Sequence, residues 1–319
     1  MTLRARLYDA RGADRDIDLE TEPLGEVTDR HLLWVDLDRR EGADLALLGR
    51  ALGLEPRILT QLSEDGRRAR ILRFPERIVV TLQALEADGD SLGRRELDVV
   101  VGRNLVVSVH DGELSAIRAF EEELREEEAL GKLDAGAFLT GLIDAVLASY
   151  FRAIDDIDRR IEALDQLALE ARESETYLST VVALRRRIAA VRRALTPNRD
   201  ALMPLVRPDF EVHADVARAW PGTIDRLQAA IDAIEKSREL LVGSFDIYLG
   251  RAAQRSNDVM KLLTILSAIA LPAIVLAGVM GMNFQIAFFG EPRNFWLVLA
   301  AMALFAGVLL LVARWRRWI

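Results

Sequence analysis

Three groups of residues near the C-terminus have the types and spacing to handle a dissolved ion. Taken as a helix, the stretch from Asn257 places Met260, Leu263, Ser267, Leu271, Ile274, Gly278 and Gly281 on one face, at steps of three and four. That face is apolar or small, with Asn257 and Ser267 its only polar side chains. The stretch ends on Gly281-Met282-Asn283, whose amide both donates and accepts hydrogen bonds without carrying charge. A second apolar run ends on the basic cluster Arg314, Arg316 and Arg317. Between Lys261 and Glu291 there is no charged residue, histidine or cysteine. Inner-sphere zinc ligation uses imidazole, thiolate or carboxylate, so it has no donor there. Simpler roles stand beside these: Asn283 as a helix cap, Gly278 and Gly281 as sites of close helix packing, and the arginines as topology anchors.

The elements that must position these residues are two membrane spans. A bilayer core about 30 Å thick takes roughly 20 apolar residues of helix, and residues 262–283 and 294–313 each supply such a run. Two spans cannot enclose a water-filled pore, so a polar cargo requires a ring of several chains. Arg251, Arg255 and Lys261 precede the first span and the basic cluster follows the second, while the connection offers only Glu291 and Arg293. The positive-inside rule then places both termini in the cytoplasm, with Trp296 and Trp315 near the ends of span two. Met1-Thr2-Leu3-Arg4 lacks the apolar segment of a secretory signal, so the bulk is expected to stay on the side of synthesis. The 319 residues carry a net charge of -8 and no cysteine. This argues against nucleic acid as a partner and leaves no disulfide framework or thiolate metal site.

Residues 1–112 read as a cytoplasmic α/β unit. Leu32–Leu37, Ile78–Leu82, Leu97–Val101 and Leu105–Val109 are short runs of strand type, with Gly102-Arg103-Asn104 as a hairpin connection. Asp44 to Gly53 has helical spacing through Leu45, Leu48 and Leu52 and ends on a capping glycine. Residues 113–257 read as a helical and stalk region, and 258–319 as the membrane domain. From Leu114 to about Leu195 the pattern is helical, interrupted early by Gly131, Gly136 and Gly141, with Leu142, Val146, Ser149, Ala153, Ile157, Ile161 and Leu164 on one face. Pro197, Pro204 and Pro208 are expected to break it, and Trp220-Pro221-Gly222 to form a turn or the first turn of a helix. One helix of about 60 residues, roughly 90 Å long, is expected from Thr223 to Asn283. Its lower half turns Leu227, Ile231, Ile234, Leu241 and Phe245 to one side, and Pro272 is expected to kink it.

With these residues in place the chain resembles the CorA superfamily of divalent metal ion transporters (CorA/ZntB-like). The carriers are Gly281-Met282-Asn283 at the end of the first of two C-terminal spans, and Asn257-Asp258-Val259-Met260-Lys261-Leu262-Leu263-Thr264 at the pore-helix entry. Leu142-Ile143-Asp144-Ala145, Tyr150-Phe151 and Ile154-Asp155-Asp156-Ile157 resemble the first long cytoplasmic helix. The resemblance implies a homopentamer: an α+β domain with a mixed sheet flanked by helices forms a CorA-like funnel, and a long stalk helix runs into a two-span all-α membrane domain. It implies that first spans line the pore and second spans surround it, with Arg314, Arg316 and Arg317 as a basic ring. No resident cofactor is implied; a divalent cation, Mg2+ or Zn2+, is the substrate and a possible regulator. Gly281, Met282 and Asn283 would recognise it, still hydrated, at an external mouth, and magnesium does keep several waters when bound. Leu263 and Leu271 would close the apolar face by dewetting.

The resemblance also implies a regulatory cation between a stalk acid, here Asp246, and a neighbour's funnel acid. Where the family often has two acids this chain has Thr60 and Gln61, leaving Glu64 and Asp65 as substitutes; a solvated helix charge is the plain alternative for Asp246. Residues 284–292 also depart from the loop of magnesium-type members, and only Glu291 offers an acidic ring. The expected function is therefore divalent-cation transport across the inner or plasma membrane, of Mg2+ (with Co2+ and Ni2+) first. A ZntB-like zinc transporter, with or without proton coupling, is the second reading. A membrane-tethered assembly protein without flux is the third. No phosphate loop or nucleophile motif suggests an enzyme, and Glu121–Glu123 and Glu126–Glu128 read as a solvated helix face.

Overall fold

The computed structural model describes residues 3–9, 14–21, 30–89, 91–126, 135–170, 174–206, 216–282 and 291–316. Seven strands form one mixed sheet: β1 (Leu3–Asp9), β2 (Arg15–Asp16), β3 (His31–Leu37), β4 (Arg70–Arg73), β5 (Ile78–Asp88), β6 (Ser91–Val101) and β7 (Leu105–His110). Their order is β2-β1-β3-β7-β6-β5-β4. Among the described residues only β3 and β7 pair in parallel, with Leu33 opposite Leu105 and Leu37 opposite Val109. The four expected strands are all present, and residues 102–104 do join β6 to β7. Strands β1, β2 and β4 come in addition.

Alternation sorts β3 onto two faces. Leu33, Val35 and Leu37 join Val79, Val100, Val107 and Val109 against helices α1 (Gly42–Leu52) and α2 (Pro56–Ser63), through Leu45, Leu48, Leu52, Ile58 and Leu62. Helix α1 stops at Gly53, whose φ of 58° is the left-handed conformation that glycine adopts without strain. On the other face Trp34 meets Phe120 of α3 (Ser115–Glu126) and Phe138 of α4 (Ala135–Glu170), with ring centroids 6.0 and 5.3 Å away. Gly136 and Gly141 lie inside α4 rather than interrupting it. A Cβ at Gly141 would stand 2.8 Å from the Phe120 ring, so this glycine serves the approach of α3 to α4. Gly131 lies outside the described residues.

Helix α5 (Ser174–Leu202) passes through Pro197, where a break was expected. Proline removes one backbone hydrogen bond, but the residues after it are held by the core. Asn198 is buried, and Ala201 and Leu202 behind it are buried too. The Asn198 amide accepts from Gln83 N–H at 2.8 Å and donates to Gln83 C=O at 2.8 Å, while the Tyr150 hydroxyl donates to that same carbonyl at 2.6 Å. Gln83 lies beyond the reach of β4, which pairs with residues 78–81. A side-chain amide thus satisfies backbone groups that the short edge strand leaves open. Pro204 falls in the 3-10 turn Met203–Val206, and Pro208 lies outside the described residues.

Helix α6 (Val216–Met280) starts ahead of Trp220-Pro221-Gly222, so these residues are neither a turn nor its first turn. It runs as one helix through Pro272. Helix α7 is Pro292–Trp315. Two compact units result, one of residues 1–167 and 173–244, the other of 168–172 and 245–319. In the first, the expected α4 row from Leu142 to Leu164 is buried, as are Leu227, Ile234 and Leu241 of α6. Arg226–Asp144 (2.8 Å), Arg187–Asp156 (2.7 Å) and Arg192–Glu235 (3.0 Å) rim this helix packing, and the Tyr177 hydroxyl donates to Ser244 C=O at 2.8 Å.

Two ionic networks are sealed into the sheet layers. Arg40, 5% exposed at its side chain, reaches Asp98 at 2.6 Å, Asp111 at 3.0 Å and the carbonyl of Leu62 at the end of α2. Arg67 adds bonds to Asp98 (2.8 Å) and Glu96 (3.2 Å). On the opposite face Asp36 receives Ser108 Oγ (2.5 Å), Arg4 Nη2 (2.9 Å) and His110 Nε2 (3.2 Å). His110 Nδ1 faces the Gly112 carbonyl at 2.6 Å. Both partners of the imidazole are acceptors, an arrangement that favours the doubly protonated ring. Burial alone would lower its pKa; the Asp36 hydrogen bond and charge outweigh that and raise it. For Asp36 burial acts to raise the pKa, but His110, Ser108 and Arg4 together lower it.

Replacing Asn198 with Leu strands the Gln83 N–H, while the Tyr150 hydroxyl still serves the Gln83 carbonyl, and should lower unfolding stability by about 1–3 kcal/mol, as one buried unpaired group does. Denaturant unfolding of the full-length protein in detergent measures it. The His110 contribution is complete below the unfolded pKa of about 6.5 and is lost as pH rises through its raised folded value. Stability should therefore fall across that window in the native protein. A His110→Gln variant should show a flatter profile, and equal slopes for the two would refute a charged His110.

Candidate ion pathway

Among the described residues three helices are long and apolar enough to cross a membrane: Ala135–Ala168, Gly222–Met280 and Pro292–Trp315. Their surfaces differ decisively. The most apolar stretch of the first is 56% buried within the protein, and those of the other two are 0% buried. The first spends its apolar face on the soluble core; the most apolar stretches of the other two bury no residue. Beyond Ser244 in α6 and throughout α7, only Ile265 and Ala313 are buried among the described residues.

The row from Asn257 lies on this uncovered rod. Met260 is 63% exposed and Ile274 65%, while Asn257, Leu263, Leu271, Gly278 and Gly281 are also exposed and Ser267 is half-buried. A Cβ at Gly278 would meet nothing within 4 Å, and one at Gly281 only the helix's own carbonyls. Neither glycine has positive φ, so neither is there for a left-handed turn. Among the described residues nothing from elsewhere in this chain packs against these glycines. Gly281 N–H still donates to Ala277 C=O at 2.9 Å, and Met282 N–H closes on Val279 C=O at 3.2 Å. The helix thus ends at the tripeptide, with its carbonyl end and the negative pole of its dipole directed there.

Asn283 lies outside the described residues, as does Arg317. Glu291 is exposed at the start of α7 and makes no capping bond with its side chain. Arg314 is in the last turn of α7, where a cation suits the helix dipole, and Arg316 follows it; both are exposed.

The regulatory candidates are exposed single carboxylates. Asp246 lies on α6 in the second unit. In the first unit Glu64 follows α2, and Asp65 accepts the Gly66 N–H at 2.6 Å. Gln61 accepts from Arg70 and, at 3.4 Å, from Arg67. The position where relatives are expected to carry acid is thus occupied by an amide serving two arginines. No group of three His, Cys, Asp or Glu placed to hold a metal ion exists among the described residues.

Spacing did not single out one local array. Gln254 Nε2 donates to Asp258 Oδ1 at 3.1 Å, and Lys261 Nζ lies 3.1 Å from that same oxygen. The signal was present in the i, i+4 and i+3 intervals of three polar residues next to the Asn257 row.

A soluble α+β unit, a helix of 65 residues and two uncovered apolar helices define a helical membrane protein with a large soluble domain. The family model described as CorA-like Mg2+ transporter protein matches residues 29–314, and the chain belongs to that family. The cobalt/magnesium transport protein CorA of Thermotoga maritima is 25% identical over 295 residues, 90% of this chain and 83% of that protein. The zinc transport protein ZntB of Pectobacterium atrosepticum is 22% identical over 267 residues, 82% of this chain and 80% of that protein. The fold matches the CorA magnesium transporter from Methanocaldococcus jannaschii at a TM-score of 0.83 and 22% identity, covering 100% of this chain and 99% of that one. The protein is a divalent cation transporter of the CorA family, a family of transporters and not of enzymes.

Proposed function

We propose that this protein forms a homopentameric channel in the inner or plasma membrane, with both termini cytoplasmic, and that it passes Mg2+ largely hydrated. Five copies of α6 line the pore through Asn257, Met260, Leu263, Ser267, Leu271, Ile274, Gly278 and Gly281, and α7 stands between them and lipid. The carrying observation is that this row is uncovered in the single chain while mixing amide, hydroxyl and glycine into an otherwise apolar helix. Such a face suits other helices and water better than hydrocarbon.

At the mouth, five helix C-termini and five Asn283 amides would accept hydrogen bonds from the hydration shell of the ion, with Met282 beside them and Glu291 as an acidic rim. Magnesium fits this because it sheds water reluctantly; Co2+ and Ni2+ would follow as smaller shares of the flux. Arg314, Arg316 and Arg317 would form a cytoplasmic basic ring. Zinc transport is the second reading, favoured by the similarity to ZntB over most of both chains. Asp246 with Glu64 and Asp65 of a neighbour would bind a regulatory Mg2+. Only exposed carboxylates enter that site, because Gln61 is held by arginines.

Four experiments test this. Asn283→Ala should lower Mg2+ flux from proteoliposomes about tenfold or more and weaken discrimination among divalent ions, on the scale set by losing one hydrogen bond per subunit. Because the chain has no cysteine, Ile274→Cys should give inter-chain disulfides on oxidation while the lipid-side Leu304→Cys gives none. Uncrosslinked Ile274→Cys would refute the pore face. Zinc flux driven by a pH gradient and exceeding that of Mg2+ would favour the second reading. For regulation, Mg2+ should slow proteolysis of the native protein, and Asp246→Asn should weaken that protection; equal protection would remove Asp246 from the site.

A further inference from the structure

Gln254, Asn257, Met260, Lys261 and Thr264 line one recess of about 250 Å3 on α6. Asn257 and Met260 belong to the proposed pore row, so Lys261 brings an ammonium beside a path meant for cations. Rings of lysine suit anion pores, whereas cation channels carry rings of Asp or Glu. The array one turn away resolves this conflict. Asp258 Oδ1 receives Gln254 Nε2 at 3.1 Å and Lys261 Nζ at 3.1 Å. Residues 254, 258 and 261 are four and three apart, so their side chains stack along one side of the helix. Gln254 orients the carboxylate and the carboxylate holds the ammonium. In the single chain Asp258 is 58% and Lys261 40% exposed. An exposed pair of this kind contributes little to stability, so its consequence lies in the local field.

We propose that Asp258, oriented by Gln254, neutralises Lys261 at the cytoplasmic end of the pore, so that Lys261 adds no unpaired positive charge where it adjoins the row of Asn257 and Met260. The inference rests on the pentameric pore reading. Asp258 and Gln254 act as positioning residues, and none of the three is a ligand to the ion.

The test measures Mg2+ flux and reversal potential for the full-length protein in proteoliposomes, with native mass spectrometry of every variant. Asp258→Asn should lower flux about tenfold, the order expected when a divalent ion passes an unpaired ammonium in partly screened surroundings. It should also shift the reversal potential towards that of chloride, which loss of helix stability would not do. Asp258→Glu should keep flux close to the native rate, and adding Lys261→Met to Asp258→Asn should restore it. Intact pentamers of Asp258→Asn with native flux and potential overturn the proposal, as does a double variant no faster than the single one. A native protein that is monomeric overturns the pore reading itself and this inference with it.

Discussion

Two long apolar helix surfaces that the chain does not cover constrain everything else in this protein. The helix Ala135–Ala168 shows the usual outcome for an apolar stripe, burial against a sheet and neighbouring helices. The second half of α6 and all of α7 lack that outcome, so their exposed Leu, Val, Ile and Phe side chains need a solvent other than water. At about 25 cal/mol per Å2 of apolar surface, leaving so many in water would outweigh the few kcal/mol that hold a domain together. Lipid satisfies most of this surface. It does not suit Asn257 and Ser267, which lie in one line with the two glycines; that line calls for other helices.

The soluble unit solves a different problem, how to place charge inside a sheet layer. Each buried charge there has an opposite charge or a fixed hydrogen bond, as the cost of an isolated one demands. The Arg40 network joins residues 40, 67, 96, 98 and 111, and the Asp36 network joins residues 4, 36, 108, 110 and 121. Each ties together segments distant in sequence on one side of the sheet. With Asn198 clamping Gln83 and Tyr177 holding Ser244, the first unit fixes its share of α6. The helix then leaves that unit without a break.

Legibility in the sequence followed the strength of local patterns. The four expected strands are runs of Val, Leu and Ile at the centre of the sheet, and α4 shows its buried row at helical spacing. Strand β2 has two residues and β4 is Arg-Ile-Leu-Arg, so edge pairing and not composition creates them. Pro197 misled because its cost is local while the compensation, Asn198 against Gln83, spans 115 positions. The alignment of Asn257 with Gly281 along one helix was readable from period alone, and α6 does run through that row as far as Gly278. Hidden from the sequence was the engagement of Gln61 by Arg67 and Arg70, which depends on how α2 meets β4. The surroundings of His110 that raise its pKa were hidden too, because only the fold brings Asp36 and the Gly112 carbonyl to its ring.

Chemistry narrows what the pathway can recognise. A zinc ion stripped of water takes imidazole, thiolate or carboxylate ligands, and the span from Leu262 to Gly290 has none. An ion that keeps its water needs only acceptors arranged around a shell. The terminal carbonyls of α6 are such acceptors by backbone geometry alone, whatever the side chains, and the helix dipole gives them the right sign. The apolar stretch behind them offers a hydrated ion no replacement contacts, so it acts as a barrier whenever it is narrow enough to exclude water. In the proposed pore, recognition at the rim and closure in the interior would thus be separate tasks, divided along a single helix by where its hydrogen bonds run out.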